Sequence, residues 1–348
     1  MLDKDIRSFS LEELKQLIID QAEKPFRAKQ VYEWLWQKQV STYDEMLNIP
    51  LKLRNHLKSN YSFNKVTVAD EQKSTDGTIK SAFKTYDGKV VEGVLIPTDK
   101  RITACISSQV GCSLTCSFCG TGKLKRLRNL EASEIFDQVV AITKQADKQF
   151  KRSLTNIVYM GMGEPLLNYK EMMRSTDLIS SKQGLNMSPK RITVSTAGIA
   201  KMIEKLGDDN AKFNLAISLH AANDEKRSEI MPINDTNTLA VLLDSLNYYY
   251  ERTGLTITFE YIIFKDFNDS IEDAKELVAY CRKVPSKVNI IEYNAIDDGR
   301  FQKATADKVD AFCSYLLSHG VVAKIRRSRG KDIDAACGQL ANKNSAFK

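Results

Sequence analysis

The stretch Cys112-Ser113-Leu114-Thr115-Cys116-Ser117-Phe118-Cys119 largely decides the fold and chemistry of this chain. Its three cysteines follow a C-x3-C-x2-C spacing, directly after the apolar run from Ile102 to Ile106. A structural zinc ion requires four protein ligands in a closed tetrahedron. A cubane iron–sulfur cluster held by three cysteines instead keeps one iron open for a substrate. The spacing therefore favours a [4Fe-4S] cluster on Cys112, Cys116 and Cys119, with a zinc knuckle completed by a distant fourth ligand as the alternative.

Composition places the chain in a reducing compartment. It has 348 residues, 43% of them hydrophobic, and a formal net charge of +7. Seven cysteines in a chain of this length do not form a disulfide scaffold. The charged segment from Met1 to Asp20 lacks the apolar core of a signal peptide, and no run approaches the roughly 18 apolar residues of a membrane span. We therefore expect a cytoplasmic protein with no membrane partner.

The hydrophobic period changes twice along the chain and predicts three domains. Residues 1–60 show helical spacing, with Ser10 placed to cap the first helix. They predict a small helical accessory domain, which is either a plain bundle or a contact surface for RNA. Residues 61–98 alternate like strands, with hairpin turns at Asp76-Gly77 and Asp87-Gly88, and predict a β extension. Residues 99–348 form the remaining core.

Strand-like and helix-like segments alternate from residue 99 onward, which predicts a parallel sheet with crossover helices. Strands are predicted at 102–107, 154–160, 191–195, 213–219, 256–264, 287–293 and 321–326. Helices are predicted at 131–148, 168–182, 198–206, 236–251, 270–283 and 304–319. About six such units, fewer than eight, predict an α/β fold of the incomplete (β/α)6 barrel type.

Polar residues collect where these strands end, which is where parallel barrels bind ligands. The cysteine stretch follows the first strand, and Gly161-Met162-Gly163-Glu164-Pro165 follows the second. Ser195 ends the third strand, Ser218-Leu219-His220 the fourth and Asn294 the sixth. Each alone is compatible with an ordinary strand-end residue, but their convergence predicts a binding site.

Several features remain ambiguous from the pattern alone. Glu92 lies in an apolar strand, and the pattern favours an outward-facing side chain. The basic runs 123–128 and 324–331 favour contacts to RNA phosphates over a simply solvated face. Cys337 lies among small residues that permit close approach by a large ligand, whereas Cys281 and Cys313 fit buried helix positions.

Taken together, the chain resembles the radical S-adenosylmethionine (SAM) enzymes, and residues roughly 90–340 resemble the RlmN/Cfr RNA methyltransferases. The matching segments are 91–97, 112–122, 128–130, 160–165, 231–234 and 332–340. Within that family, Cys119-Gly120-Thr121-Gly122, Gly163-Glu164-Pro165 and Arg329-Gly330 resemble the RlmN branch. Lys125 and Arg126 depart from the glycine and aromatic expected after the cluster.

The resemblance implies a two-step methylation of adenine C2 that consumes two SAM molecules. Cys337 would take a methyl group from one SAM, and a second SAM, cleaved at the cluster, would activate that methyl group for addition to adenine. Glu92 would accept the C2 proton, and Cys105 would release the product by forming a transient disulfide with Cys337. The implied SAM-binding residues are Gly163, Glu164, Ser195, Ser218, Leu219, His220 and Asn294.

The implied RNA partner is 23S ribosomal RNA, and transfer RNA is left open as a further substrate. The resemblance also implies an electron donor, such as a flavodoxin system, and a monomeric enzyme. A Cfr-like enzyme that methylates adenine C8 is one alternative. A zinc-stapled RNA-binding protein without enzymatic activity is another. A methylthiotransferase-like enzyme would need a second cluster, for which Cys105, Cys281, Cys313 and Cys337 are too scattered.

Overall fold

A computed structural model describes residues 4–296 and 299–343. Three helices lie near its N-terminus: α1 (Leu11–Asp20), α2 (Phe26–Trp36) and α3 (Leu51–Asn60). Ser10 caps α1 in a reciprocal capping box with Glu13, as the sequence predicted. Trp36 of α2 is fully buried, and its ring meets the edge of Phe136 with centroids 5.1 Å apart. The accessory helices therefore pack directly on the core.

Ten strands form one continuous sheet. Its first part is an antiparallel meander of β1 (Thr67–Lys73), β2 (Ile79–Lys84) and β3 (Val90–Pro97), joined to β4 (Ile102–Cys105). A separate small ribbon pairs β5 (Gln109–Val110) with β6 (Arg128–Asn129). The remaining strands are β7 (Asn156–Tyr159), β8 (Ile192–Thr196), β9 (Asn214–Ser218), β10 (Ile257–Ile263), β11 (Ser286–Glu292) and β12 (Ala323–Arg326).

The main sheet runs in the order β1-β2-β3-β4-β7-β8-β9-β10-β11-β12, and every pairing from β4 to β12 is parallel. All seven residues of β10 are buried, as expected for a parallel strand covered on both faces. The crossover helices are α4 (Ala132–Phe150), α5 (Tyr169–Ser180), α6 (Ala200–Asp208), α7 (Asp224–Ile230), α8 (Leu239–Thr253), α9 (Ile271–Cys281) and α10 (Ala306–Ser318).

Six β/α units and a final strand therefore build an incomplete barrel, which confirms the predicted fold class. The short helix α7 was not predicted. The division into three domains stays a prediction, although the strands of the β extension continue the barrel sheet. No helix among the described residues is long and apolar enough to cross a membrane.

A buried ion network joins the N-terminus to the first barrel helix. Arg7 is fully buried, and its Nη1 atom donates to both carboxylate oxygens of Asp137 at 2.9 Å. Lys65 Nζ lies 2.9 Å from the same carboxylate, and the amide of Val66 donates to it at 3.0 Å. Asp137 thus holds the N-terminal region and the start of the β extension against α4.

The C-terminal segment, residues 327–343, folds back across the carboxyl ends of the strands. Near its start, the Gly330 amide donates to Asp76, and Asp332 accepts from the Ser74 hydroxyl at 2.6 Å. Further along, the Thr121 hydroxyl donates to the carbonyl of Leu340 at 2.6 Å. The segment is therefore fastened both to the β1–β2 turn and to the loop that follows the three cysteines.

Candidate active site

A cavity lies at the carboxyl ends of the parallel strands, where the sequence predicted a binding site. This main cavity is walled by the cysteine stretch, the loop after β7, the ends of β8 and β9, and the C-terminal segment. Its lining includes Cys112, Cys116, Phe118, Cys119, Gly163, Glu164, Ser195, Ala197, Ser218, His220, Glu260 and Cys337. Three cysteines and the strand-end residues therefore face one shared space.

The three cysteines suit an iron–sulfur cluster by their placement and chemistry. Burial raises the pKa of Cys112 to about 11 and also raises the pKa values of Cys116 and Cys119. The amide of Leu114 donates to the sulfur of Cys112, and the amides near Cys119 favour its thiolate form. Thiolates crowded together in a buried site need a cationic partner, and metal coordination supplies one.

No group of three His, Cys, Asp or Glu side chains within residues 4–296 and 299–343 converges on a single-ion site. A cubane does not require such convergence, because each of its cysteines binds a different iron. The loop beyond Cys119 returns to Cys112, where the backbone forms a parallel bridge with Lys125. Lys125 is one of the two residues that depart from the family pattern. Its backbone is paired with the cysteine loop, while its side chain is exposed.

The loop after β7 places a carboxylate in the cavity wall. Gly163 has a φ of +98°, and a Cβ atom there would lie 2.5 Å from the Cβ of Gln109, so this position requires glycine. The next residue, Glu164, is buried, and burial raises its pKa. Its two oxygens accept from the amides of Ala197 at 2.8 Å and Leu166 at 3.0 Å. Glu164 therefore links this loop to the end of β8.

His220 lies in the cavity wall as a neutral hydrogen-bond donor. Its Nδ1 atom accepts from the amide of Ile262 at 3.1 Å, which leaves the proton on Nε2. Burial, reinforced by the nearby charge of Arg227, lowers its pKa to about 3. The ring of Phe118 meets it edge-on, with centroids 4.7 Å apart. His220 also has a φ of +58°, which turns the chain as it leaves β9.

Two residues of the predicted SAM set lie outside the cavity lining. Leu219 is fully buried, and its backbone pairs with neighbouring elements. Asn294 is buried, and its Nδ2 atom donates to the carbonyl of Cys337 at 3.4 Å. Asn294 therefore contacts the residue predicted to carry the methyl group, and both assignments to SAM stay predictions.

Cys105 and Cys337 meet in a second, adjoining space. This side cavity is lined by Ile96, Cys105, Met160, Ile291, Arg326, Arg327, Ser328, Arg329, Ala335, Ala336, Cys337 and Leu340. Cys337 lines both cavities and is exposed, whereas Cys105, at the end of β4, is buried. Burial raises the pKa of the Cys105 thiol, and the Arg326 guanidinium favours the thiolate form of both cysteines. Both cysteines are free thiols.

The outward-facing interpretation of Glu92 is wrong. Its side chain is 1% exposed, because β3 lies between β2 and β4 and the C-terminal segment covers its face. One oxygen accepts from the amides of Ala341 at 2.9 Å and Asn342 at 3.0 Å. The other lies 3.7 Å from the ammonium of Lys80. Glu92 lies outside the lining of both cavities.

Besides Arg7, two buried cations were not predicted from the sequence. Lys80 lies beside Glu92 and is 3% exposed. Like Glu92, it is a charged residue within an apolar strand, and that position was the one sign of its burial. Arg227 is fully buried on α7, within a strongly charged segment that resembles a solvated surface helix. For Arg227 we find no feature of the sequence that separates it from an exposed arginine.

Two family models match parts of this chain. Residues 4–62 match the family model of the ribosomal RNA large subunit methyltransferase N-terminal domain. Residues 106–278 match the radical SAM superfamily. A relative from Cytophaga hutchinsonii, named "Probable dual-specificity RNA methyltransferase RlmN", is 56% identical over 98% of this chain and 93% of its own length.

The chain belongs to the RlmN family. A second member, from Christiangramia forsetii, is 54% identical over 98% of this chain and 97% of its own length. A radical SAM methyltransferase from Sphaerobacter thermophilus has the same fold, with a TM-score of 0.91 and 38% identity over 97% of this chain and 99% of that one.

Family membership defines the class of enzyme. The chain is a radical SAM methyltransferase that acts on RNA, and its cofactors are a [4Fe-4S] cluster and SAM. The alternative of a zinc-stapled protein without enzymatic activity does not hold. The cysteine stretch, residues 112–119, lies inside the radical SAM match.

Proposed function

We propose that this enzyme methylates C2 of an adenine in 23S ribosomal RNA and in transfer RNA, with Cys337 as the methyl carrier. The observation that carries the proposal is the position of Cys337, which lines both the main cavity and the side cavity that contains Cys105. A thiol at that junction can meet SAM on one side and RNA on the other. The relatives named as dual-specificity RNA methyltransferases support the two RNA substrates.

In the proposed cofactor site, Cys112, Cys116 and Cys119 hold the cluster, which supplies the electron for reductive cleavage of SAM. Gly163, Glu164, Ser195, Ser218 and His220 bind SAM in the main cavity, with Leu219 and Asn294 as further proposed contacts. A flavodoxin-type protein is the proposed electron donor. The neutral His220 offers an Nε2 proton without placing a second positive charge beside the sulfonium group.

In the proposed reaction, the thiolate of Cys337 first attacks the SAM methyl group. The 5′-deoxyadenosyl fragment of the cleaved second SAM would take a hydrogen atom from that methyl group, and its carbon would then bond to adenine C2 and link Cys337 to the RNA. The electron left over from this addition would return to the cluster. Glu92 accepts the C2 proton. Cys105 then attacks the sulfur of Cys337, so that the S–C bond breaks and a disulfide forms. The released CH2 carbon takes up a proton from solvent and remains on the base as the methyl group. The disulfide must be reduced before the next turnover.

The charges around the side cavity suit an RNA substrate. Arg326, Arg327 and Arg329 line it, and guanidinium groups bind phosphates in bidentate fashion. The exposed side chains of Lys123 and Lys125 add positive charge beyond the main cavity. Neutralising phosphates with such residues gives salt-dependent RNA affinity. We propose that RNA approaches over the C-terminal segment.

Access to Glu92 requires a change in that segment. One carboxylate oxygen is occupied by the amides of Ala341 and Asn342, four and five residues after Cys337. A base that accepts a proton from RNA must first lose these donors. We therefore propose that RNA binding displaces the end of the C-terminal segment from Glu92.

The test of this function follows a labelled methyl group from SAM. Cys337→Ser should leave no label in protein or RNA, whereas the matched control Cys313→Ser, a buried cysteine of α10, should transfer label normally. Mass spectrometry of the wild-type protein should find methylcysteine at position 337. RNA methylation by the Cys337→Ser variant would refute the proposal. Methylation of adenine C8 by the wild-type protein would instead support the Cfr-like alternative.

Release of the product provides a second test. Cys105→Ala should spare the first methyl transfer but retain covalently attached RNA, seen as ultraviolet absorbance and a gel shift that nuclease removes. The Cys105→Ala, Cys337→Ala double variant should lose that RNA. Normal turnover of Cys105→Ala without attached RNA would mean that Cys105 is only a core cysteine.

A further inference from the structure

Arg227 is a fully buried guanidinium that bonds only to neutral groups. Its Nη2 atom donates to the carbonyls of Ala197 at 2.6 Å and Ser218 at 3.3 Å. Its Nε donates to the carbonyl of Leu219 at 3.2 Å, and its Nη1 to the side-chain oxygen of Asn234 at 2.7 Å. Carbonyl groups satisfy the donors of a buried arginine but do not neutralise its charge.

The counter-charge of Arg227 is not supplied by a direct protein partner. Among residues 4–296 and 299–343, no carboxylate oxygen within 4 Å forms an ion pair with its guanidinium. The charge of Asp224 favours the protonated guanidinium, but Asp224 contacts it through Asn234, whose Nδ2 atom donates to Asp224 at 2.8 Å. Burial lowers the pKa of Arg227. The amide of Ser117 donates to the carbonyl of Ile230 at 3.0 Å, so the cysteine stretch lies against the helix that carries Arg227. A buried charge is costly unless it is paired.

The groups that Arg227 holds belong to the wall of the main cavity. Ala197 and Ser218 line it together with the three cysteines. They lie at or just beyond the carboxyl ends of β8 and β9, so one side chain fixes the spacing of two neighbouring strand ends. The fit is close, because a Cβ atom on Gly198 would lie only 3.3 Å from Nη2 of Arg227.

We propose that Arg227 is a positioning residue for the cofactors of this enzyme, with two separable effects. Its fork of donors holds the ends of β8 and β9 at the spacing that SAM requires. Its charge favours the more negative, reduced state of the cluster bound at Cys112, Cys116 and Cys119. This inference rests on the proposed cofactor site. The cluster would give Arg227 a counter-charge, since no carboxylate among the described residues forms a direct ion pair with it.

The experiment compares Arg227→Met and Arg227→Lys, reconstituted without oxygen, with Arg252→Met, an exposed arginine on α8, as the control. The midpoint potential of the cluster is followed by electron paramagnetic resonance, and SAM affinity by calorimetry. Arg227→Met should lower the potential and weaken SAM binding more than tenfold. Arg227→Lys should keep the potential near that of the wild type but weaken SAM binding, because lysine keeps the charge and loses the fork.

Two results would overturn the inference. One is an iron-loaded Arg227→Met protein with wild-type potential and SAM affinity. The other concerns Arg227→Lys, which is used if Arg227→Met fails to hold iron. An Arg227→Lys protein with unchanged SAM affinity and a lowered cluster potential would contradict both effects. Neither readout depends on RNA methylation. A wild-type protein that binds SAM at a cluster but places no methyl group on Cys337 would instead refute the proposed function alone.

Discussion

Replacing Lys80 with methionine should expose how much of the fold depends on one buried ion pair. Lys80 and Glu92 are 3% and 1% exposed, and their charged atoms lie 3.7 Å apart. Glu92 faces Ala82 across the β2–β3 pair, so Lys80 is its diagonal neighbour on the same face. At 3.7 Å and an effective dielectric constant of about 20, their attraction is about 4.5 kcal/mol. Breaking a buried pair typically costs about 3–5 kcal/mol.

Calorimetry of the protein without cluster would measure this cost. An unfolding entropy of about 2.1 cal/mol/K per residue gives about 0.7 kcal/mol/K for 348 residues. The expected loss therefore lowers Tm by about 4–7 °C. Lys84→Met removes an exposed lysine from the same strand and should change Tm by less than about 1 °C.

Adding Glu92→Gln to Lys80→Met should restore part of the lost stability, because no unpaired carboxylate is then left in the buried site. Simple addition of the two single effects would contradict the ion-pair argument. So would a Lys80→Met protein that is as stable as the Lys84→Met control.

Three further predictions follow from the geometry. Gly163→Ala should abolish SAM binding, measured by calorimetry on iron-loaded protein, because its positive φ and the contact with Gln109 exclude a Cβ atom. Asp137→Asn should lower the free energy of unfolding by about 3–5 kcal/mol in a denaturant titration, since Arg7 and Lys65 both lose the charge of their shared partner. His220 has a pKa lowered from 6.5 to about 3, so the unfolded state binds its proton first and stability falls as the pH drops below 6.5. His220→Gln should therefore flatten the pH dependence of Tm between pH 6.5 and 3.

The barrel strands could be predicted from the sequence because parallel strands carry long apolar runs. The predicted strand 256–264 contains β10, Ile257–Ile263, in which every residue is buried. The position of the site was also predictable. The cysteine stretch and the other polar segments follow consecutive parallel strands, and the carboxyl ends of such strands lie together. These features depend on local sequence patterns, which can be recognised without the tertiary structure.

The errors arose where distant segments meet. Glu92 has the local pattern of an exposed residue, and only a segment about 250 residues later buries it. Helix α7, Asp224–Ile230, escaped because seven mostly polar residues show no clear apolar period. Arg227 on that helix was missed because its partners are three backbone carbonyls and the side chain of Asn234, which leave no trace in the sequence.

The fastening of the C-terminal segment has a consequence for the order in which the molecule folds. Its contacts join residues far apart in the chain: Thr121 with Leu340, separated by 219 positions, and Ser74 with Asp332, separated by 258. Contacts of such long range form late, because the chain entropy of closing the loop must be lost first. The barrel strands can pair before this segment arrives. We therefore expect an interval in which the three cysteines are still open to the proteins that deliver iron and sulfide, and the last stretch of chain then closes over the loaded site.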